Sequence, residues 1–149
     1  MRYGNENELR KVLERFETAT IAREEWGHPE HLIVAYFYCC GNDENTACLL
    51  MKEGILKLLD VFGVDKEKEM PYHETMTGFW IRTVHAFVAA NPDLNAVGAC
   101  SALISGYGKN YPLEFYSREL LFSDPARESF VEPDIRPLSS RPPALATPE

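Results

Sequence analysis

The stretch that decides the fold is HPEHLIVAYFYCCGN, residues 28–42. Pro29 can occupy the first position of a helix, where its missing N–H leaves no hydrogen bond unmade, and the run that follows is apolar on every side of that helix. The Gly41-Asn42 pair then ends the helix. Because a helix that is apolar all round has to be covered all round, we predict that it is the central, buried helix of a bundle.

Apolar residues repeat with a helical period on both sides of this stretch. The pattern predicts one helix before it, over residues 9–16, and three helices after it: one capped by Asp43 or Asn45 and ending near Gly63, one from about Pro71 to Asn91, and a short one from Asp93 to about Ser105. Residues 65–69 are charged and predict a solvated link. No run alternates long enough to predict a sheet.

The fold class predicted is all-α: a single-domain bundle of four to five helices with an irregular C-terminal segment that wraps it. Beyond Gly106, turn residues and aromatic residues replace the helical period, with one short helical candidate from Ser123 to Arg127. After Pro133 the chain is rich in Pro, Ser and Ala, which bury too little surface to offset the entropy of ordering them. We therefore assign residues 1–137 to the domain and expect 138–149 to form a mobile tail.

Composition limits the partners and the compartment. The 149 residues are 45% hydrophobic and carry a formal net charge of -8, which opposes binding to nucleic acid or to an anionic membrane. No run approaches the ~20 apolar residues of a membrane span, so we expect a cytoplasmic protein. Its four cysteines have no zinc-ribbon spacing and lie in apolar stretches, which predicts buried free thiols: Cys39, Cys40, Cys48 and Cys100. A homodimer joined through the third and fifth helices stays open.

Three of the four histidines lie in two short segments, EWGHPEH at residues 25–31 and PYHET at residues 71–75. If consecutive helices are antiparallel neighbours, the second and fourth helices run the same way and begin at the same end of the bundle. The two segments are therefore expected to meet. His85 lies about 18 Å further along the fourth helix than His73, so we expect it to be structural.

The histidine spacing suggests a metal site. His28 and His31 are three residues apart and face one direction on a helix, and His73 would join them from the fourth helix. The positive end of a helix dipole favours the neutral imidazole that a metal requires. With a carboxylate from Glu74, Glu25 or Glu30, this shell would suit a divalent transition metal: zinc, iron, nickel or copper.

The leading hypothesis is thus a metal-dependent enzyme, a hydrolase, lyase or oxygenase, that acts on a small molecule. His28, His31 and His73 would be the metal ligands, and Glu74 would be a ligand or the general base. The substrate pocket would be formed by aromatic, hydroxyl and basic side chains: Trp26, Tyr72, Thr77, Trp80, Tyr116 and Arg118, with Thr75 as a further orienting hydroxyl.

The alternative is a non-catalytic domain that binds a small ligand or a partner helix. Pro29 at the first helical position would make His28 the N-cap residue and His31 the third helical residue, so both could satisfy unpaired N–H groups of the helix start or neighbouring carbonyls. The sequence contains no His-Glu-x-x-His pattern. Arg118 could bind a ligand carboxylate or phosphate, or it could pair with Glu119 or Glu132.

Four motifs together resemble a family of uncharacterised small bacterial helical proteins. They are WGHPEHL at residues 26–32, YHETMTGFW at 72–80, YSRELLFS at 116–123 and VEPD at 131–134, and the resemblance spans residues 9–138. In that family threonine often stands where this chain has Gly27. The resemblance implies a bacterial origin, one helical domain and a role for the same positions, and it implies no substrate.

Overall fold

Seven α-helices and no strand make up the part of the chain that the computed structural model describes, residues 2–65 and 72–138. The helices are α1 (Glu6–Glu17), α2 (His28–Gly41), α3 (Glu44–Phe62), α4 (Glu74–Ala90), α5 (Ala96–Gly106), α6 (Arg118–Leu121) and α7 (Asp124–Glu128). Two 3-10 turns, Arg23–Glu25 and Tyr111–Glu114, lie between them. The all-α class predicted from the sequence is confirmed.

Helix α2 is the centre of the fold, as its all-round apolar run predicts. It packs against α1, α3, α4 and α5, and every residue from Leu32 to Tyr36 is buried. At about 25 cal/mol per Å² of apolar surface, covering such a helix is the main source of its stability. The other helices therefore take their positions around it.

Polar side chains begin most of the other helices. A side-chain oxygen accepts a hydrogen bond from the backbone two or three positions on at each of these N-caps: Asn5 for α1, Asp43 for α3, Asn95 for α5, Ser117 for α6 and Ser123 for α7. Asp43 rather than Asn45 is the cap of α3, and α5 begins three residues later than predicted because Asn95 caps it. Helix α3 ends at Gly63, whose φ of 73° is the left-handed conformation typical of a C-terminal glycine.

The C-terminal segment wraps the bundle, as expected. The Tyr116 hydroxyl donates to the Val131 carbonyl at 2.7 Å, and Asp134 accepts from both the amide and the hydroxyl of Ser117. Leu138, the first residue of the predicted tail, packs against the core. The rest of the predicted tail (139–149), residues 66–69 of the predicted link, and Pro71, where the fourth helix was predicted to begin, lie outside the described residues.

All four cysteines are free thiols. Burial raises the pKa of Cys100 to about 12 and that of Cys39 still further, so neither is a reactive thiolate. Cys48 is half-buried. Cys40, in the last turn of α2, is exposed, so the expectation of a buried thiol is wrong for that residue. No described helix is both long and apolar enough to cross a membrane.

A glycine lets α1 and α3 approach each other. A methyl group built on Gly54 of α3 would overlap the ring of Phe16, which is fully buried and comes from α1. That ring cannot swing aside freely, because it stacks on Trp26 with the ring centroids 4.9 Å apart and edges against Tyr38. Gly54 is therefore a packing requirement in the middle of a helix.

We expect Gly54→Ala to lower the free energy of unfolding by about 1 to 2 kcal/mol, because overpacking a core costs about 1 to 3 kcal/mol and outweighs the roughly 1 kcal/mol by which a helix prefers Ala. Urea unfolding followed by circular dichroism measures the change. Gly41→Ala is the matched control, since a methyl group there meets nothing within 4 Å and should leave stability unchanged or raise it. Equal effects at both positions would contradict this account.

Candidate functional site

The beginnings of α2 and α4 meet at two adjoining cavities. The larger cavity has a volume of about 460 Å³ and the smaller cavity about 290 Å³. Both are lined by Trp26, His31 and Met76, which we call the shared wall. The two histidine-bearing segments of the sequence are thus brought together, as the helix order predicted.

The rest of each lining comes from several elements. The larger cavity is completed by apolar side chains from α3 and the C-terminal segment and by four more polar residues: Ile55, Leu59, Phe122, Tyr72, His73, Thr77 and Arg127. The smaller cavity is completed by Gly27, His28, Trp80 and Lys109. Phe122 and Lys109 are exposed, so both cavities are reached from the surface.

Trp26 is the most firmly placed side chain of the shared wall. Its ring stacks on Phe16 at an interplanar angle of 18° and meets His31 edge-on at 6.1 Å between centroids. Aromatic contacts of this kind contribute about 0.5–1.5 kcal/mol beyond the area they bury. The position of the wall therefore follows from the packing of α1.

Glu30 faces away from the cavities. Its carboxylate is buried and accepts hydrogen bonds from the Tyr3 hydroxyl at 2.5 Å, from Arg2 and from the amide of Gly27 at 3.1 Å. Burial by itself would raise the pKa of Glu30, but these donors outweigh burial and hold that pKa below its usual value. Glu30 is therefore committed to the N-terminal segment and does not line the site, which corrects its prediction as a metal ligand.

His28 is the first residue of α2, and Gly27 is the N-cap, so the predicted capping role of His28 is wrong. Its Nε2 lies 2.8 Å from the carbonyl oxygen of Tyr107, and its ring meets Trp80 edge-on at 4.9 Å between centroids. Because a carbonyl can only accept, Nε2 carries the proton and Nδ1 of the neutral ring keeps its lone pair. Within the described residues nothing is hydrogen-bonded to that Nδ1.

His73 is the N-cap of α4, and both of its ring nitrogens are engaged. Nδ1 accepts from the Met76 amide at 3.1 Å, and Nε2 donates to the Leu121 carbonyl at 2.5 Å. Burial, together with the nearby positive charge of Arg127, keeps the pKa of His73 below its usual value in spite of the Leu121 bond. The ring thus ties the start of α4 to α6 as a neutral imidazole.

His31 differs from both other histidines. Among the described residues no group forms a hydrogen bond with its ring, which lies in the shared wall and faces both cavities. Burial, and to a smaller extent the charge of a protonated His28, lower the pKa of His31 to about 4. At neutral pH it therefore offers the cavities one N–H donor and one lone pair.

The predicted acidic and hydroxyl residues are placed as follows. The Glu74 carboxylate accepts from the Tyr72 hydroxyl at 2.9 Å and pairs with Lys52 at 3.4 Å, and it lines neither cavity. Glu25 pairs with Arg15 at the surface. The buried Thr75 hydroxyl bridges Ser129 and Val131 in the wrapping segment, so of the two threonines only Thr77 reaches the larger cavity.

Two residues of the predicted pocket lie elsewhere. Tyr116 is fully buried and packs edge-on against Phe79, because its hydroxyl is held by Val131 in the wrapping segment. Arg118 is exposed at the start of α6, lines neither cavity, and forms no ion pair with Glu119 or Glu132. Trp26, Tyr72, Thr77 and Trp80 do line the cavities.

The described residues contain no group of three or more His, Cys, Asp or Glu side chains arranged to hold a metal ion. A metal on His73 would have to displace either the Met76 amide or the Leu121 carbonyl. The three-histidine metal site stays a prediction. His85, expected to be structural, lies 3.9 Å from the Glu44 carboxylate and lines neither cavity.

Sequence reasoning missed part of the lining. Met76 had a local signal, since it lies three residues after His73 in the first turn of α4. Lys109 and Arg127 had none, because each follows a turn-rich stretch whose path depends on tertiary packing. Ile55 and Leu59 lie within α3, and nothing in the sequence marks them as cavity residues.

The lowered pKa of His31 predicts a pH dependence of stability. The unfolded chain takes up this proton below its ordinary pKa of 6.5, whereas the folded chain resists it until about pH 4. This group therefore does not reduce the free energy of unfolding above pH 6.5. As the pH falls from 6.5 to 4, it lowers the free energy of unfolding by about 2 to 3 kcal/mol. In His31→Gln, urea unfolding between pH 7 and pH 4 should show a correspondingly flatter decline. His85→Gln is the control and should keep the full slope; an unchanged slope in His31→Gln would contradict the assignment.

Comparison with known proteins gives no relative for this chain. No family model matches the sequence, and neither the curated proteins nor the solved structures contain a match. The resemblance of its motifs to small bacterial helical proteins stays a prediction.

Proposed function

We propose that this chain binds a small organic molecule in the larger and smaller cavities, across the shared wall. The observation that carries the proposal is His31. The His31 side chain is half-buried, and its ring lines both cavities, so its nitrogens can form hydrogen bonds with a molecule that fills them. A neutral imidazole that faces two cavities and has no partner among the described residues is suited to hydrogen-bond a ligand.

The composition of the lining supports the same function. Small-molecule sites are concave and mostly apolar, with a few polar groups that orient the ligand. Here the aromatic rings of Trp26, Tyr72 and Trp80 and the apolar side chains of α3 and α4 supply the contact area. The polar side chains of the lining include three histidines, and His31 is common to both cavities.

The site is also rigid before any ligand arrives. Trp26 is held by Phe16, His28 by the Tyr107 carbonyl, and His73 by a bond on each ring nitrogen. Fixing these side chains in advance removes part of the entropy that a ligand would otherwise lose on binding.

The two tryptophans of the chain, Trp26 and Trp80, both line the site, so their fluorescence reports its occupancy. We expect N-phenyl-1-naphthylamine, a neutral aromatic amine, to quench their emission saturably with one molecule bound per chain. At about 0.3 kcal/mol per non-hydrogen atom, its dissociation constant should fall between about 1 μM and 1 mM. Trp26→Phe and Trp80→Phe assign the signal to each ring.

His31→Phe keeps a flat ring but removes the hydrogen-bonding nitrogens. It should weaken binding of this amine by about fivefold, the effect of one lost hydrogen bond of roughly 1 kcal/mol. The matched control is His85→Phe, which lies outside the site and should bind normally. Unsaturable quenching, or equal binding by both variants, would contradict the proposal, and circular dichroism shows that each variant is folded.

Metal-dependent catalysis on a small molecule is the second candidate, and one observation favours it. His28 keeps a lone pair on Nδ1, and either ring nitrogen of His31 can carry the lone pair that binds a metal. Two imidazole ligands therefore line the same cavity. Two such ligands and water could hold zinc or a related divalent ion. Glu74 would need to leave Tyr72 and Lys52 to act there as a base.

This second candidate predicts about one equivalent of Zn²⁺ on untagged protein after incubation and desalting, measured by elemental analysis. His28→Gln and His31→Gln should each abolish it, and His85→Gln should not. His73→Asn separates two versions of the site, because Asn can still cap α4 but carries no imidazole. Metal lost in His73→Asn indicates three histidine ligands, and metal retained there indicates two. Protein that takes up no metal excludes this candidate and leaves the binding proposal intact.

A further inference from the structure

We infer that the ligand of this site is a neutral aromatic molecule with a hydroxyl group on its ring, a phenol; the inference rests on the proposed function. The observation that carries it is the hydrogen bond between Nε2 of His28 and the Tyr107 carbonyl. His28 lines the smaller cavity, and this bond decides which atom of its ring is left for a molecule in that cavity.

The neutral His28 ring can only accept a hydrogen bond from such a molecule. A carbonyl oxygen has no proton to give, so the proton of the ring is on Nε2 and lies between His28 and Tyr107. Moving that proton to Nδ1 would set two lone pairs against each other, so the bond fixes this tautomer. Nδ1 therefore keeps its lone pair, and no described residue donates to it. A ligand that uses this atom has to bring an N–H or an O–H group.

Two other side chains of the smaller cavity can donate. They are His31 and Lys109, which line this cavity together with His28. The neutral His31 ring has one N–H, and the ammonium group of Lys109 has donors only. A ligand group that reaches all three side chains therefore has to donate one hydrogen bond and can accept two.

A hydroxyl group is the smallest group that matches these donors and acceptors. It has one O–H to donate and two lone pairs with which to accept. A carboxylate or an ether oxygen can only accept, so either would set its lone pairs against Nδ1 of His28. An ammonium group can only donate, and it would meet the positive charge of Lys109. Among these groups the hydroxyl alone leaves no side chain of the three opposed.

The aromatic body of the ligand follows from the rings around the same cavity. Trp80 meets His28 edge-on with the ring centroids 4.9 Å apart, and Trp26 meets His31 edge-on at 6.1 Å. Each imidazole is thus next to an indole, and both indoles line the smaller cavity. A hydroxyl attached directly to an aromatic ring can reach the imidazoles while that ring contacts the indoles. An aliphatic alcohol would form the same hydrogen bonds without these ring contacts.

The test compares 1-naphthol with 1-methoxynaphthalene, in which a methyl group replaces the hydroxyl proton. Both are measured at about pH 8, where an ordinary imidazole is neutral, and with a chelator present so that no metal takes part. Each is titrated against bound N-phenyl-1-naphthylamine, whose own fluorescence falls when it is displaced. The ratio of the two displacement constants does not depend on the affinity of that amine. We expect 1-naphthol to bind about fivefold more tightly than its methyl ether, the effect of one hydrogen bond.

Two variants identify the side chain that accepts the ligand's proton. His28→Phe keeps a flat ring but removes the lone pair, so it should weaken 1-naphthol relative to the ether and bring the ratio close to one. His31→Phe removes a donor that both oxygens can use, so it should weaken both ligands and leave the ratio near fivefold. His85→Phe is the matched control and should change neither constant. Circular dichroism shows that each variant is folded.

Each other outcome overturns the inference in a distinct way. A ratio near one in the unaltered chain is evidence against a phenol even if no variant folds, and it leaves the binding proposal intact because the amine still binds. A ratio that stays near fivefold in His28→Phe means that the ether is excluded by its bulk. A ratio that falls only in His31→Phe means that His31 accepts the proton. Equal displacement by decahydro-1-naphthol would remove the aromatic requirement. If N-phenyl-1-naphthylamine does not bind at all, the proposed function fails together with this inference.

Discussion

The burial of α2 is the constraint on which the rest of the structure depends. Three polar side chains lie in the first turn of this central helix: Glu30, which is buried, and His28 and His31, which are half-buried. A buried polar group without a partner costs about 1–3 kcal/mol, so Glu30 above all needs hydrogen-bond donors. The wrapping segment supplies one partner for His28, the N-terminal segment supplies two for Glu30, and the amide of Gly27 supplies a third. Only the His31 ring has no hydrogen-bond partner among the described residues. It faces the two cavities, which is why the candidate site lies at this end of α2.

The fold was largely predictable because its signals are local. An apolar run bounded by Pro29 and Gly41 predicted the central helix, and Asp43 and Gly63 marked both ends of α3. The sequence did not predict the precise start of α5 or the short helix α6, because in both places the N-cap residue lies among other turn-forming residues. The exposure of Cys40 escaped as well, because an all-round apolar pattern does not say where the covering helices stop.

The location of the site was predictable from the sequence, but the hydrogen-bonding state of its side chains was not. Helix order alone brought the segments around His31 and His73 together. Residue spacing could not show which histidines would already be hydrogen-bonded. His28 and His73 bond to the carbonyls of Tyr107 and Leu121, which are 79 and 48 residues away along the chain. Every residue has a backbone carbonyl, so the amino-acid sequence does not show which carbonyl will accept a given hydrogen bond. For the same reason Tyr116 and Arg118 were assigned to a pocket that neither of them lines, although other residues of the wrapping segment do.

The packing of the bundle also determines the shape of the site through one chain of contacts. Gly54 makes room for the Phe16 ring, Phe16 stacks on Trp26, and Trp26 meets His31 edge-on. Well-packed side chains cannot yield independently of their neighbours, because protein interiors are as dense as organic crystals. A shift of α1 against α3 would therefore move the shared wall of both cavities at once. The position of the His31 ring thus depends, through Trp26, on helix α1, which lines neither cavity.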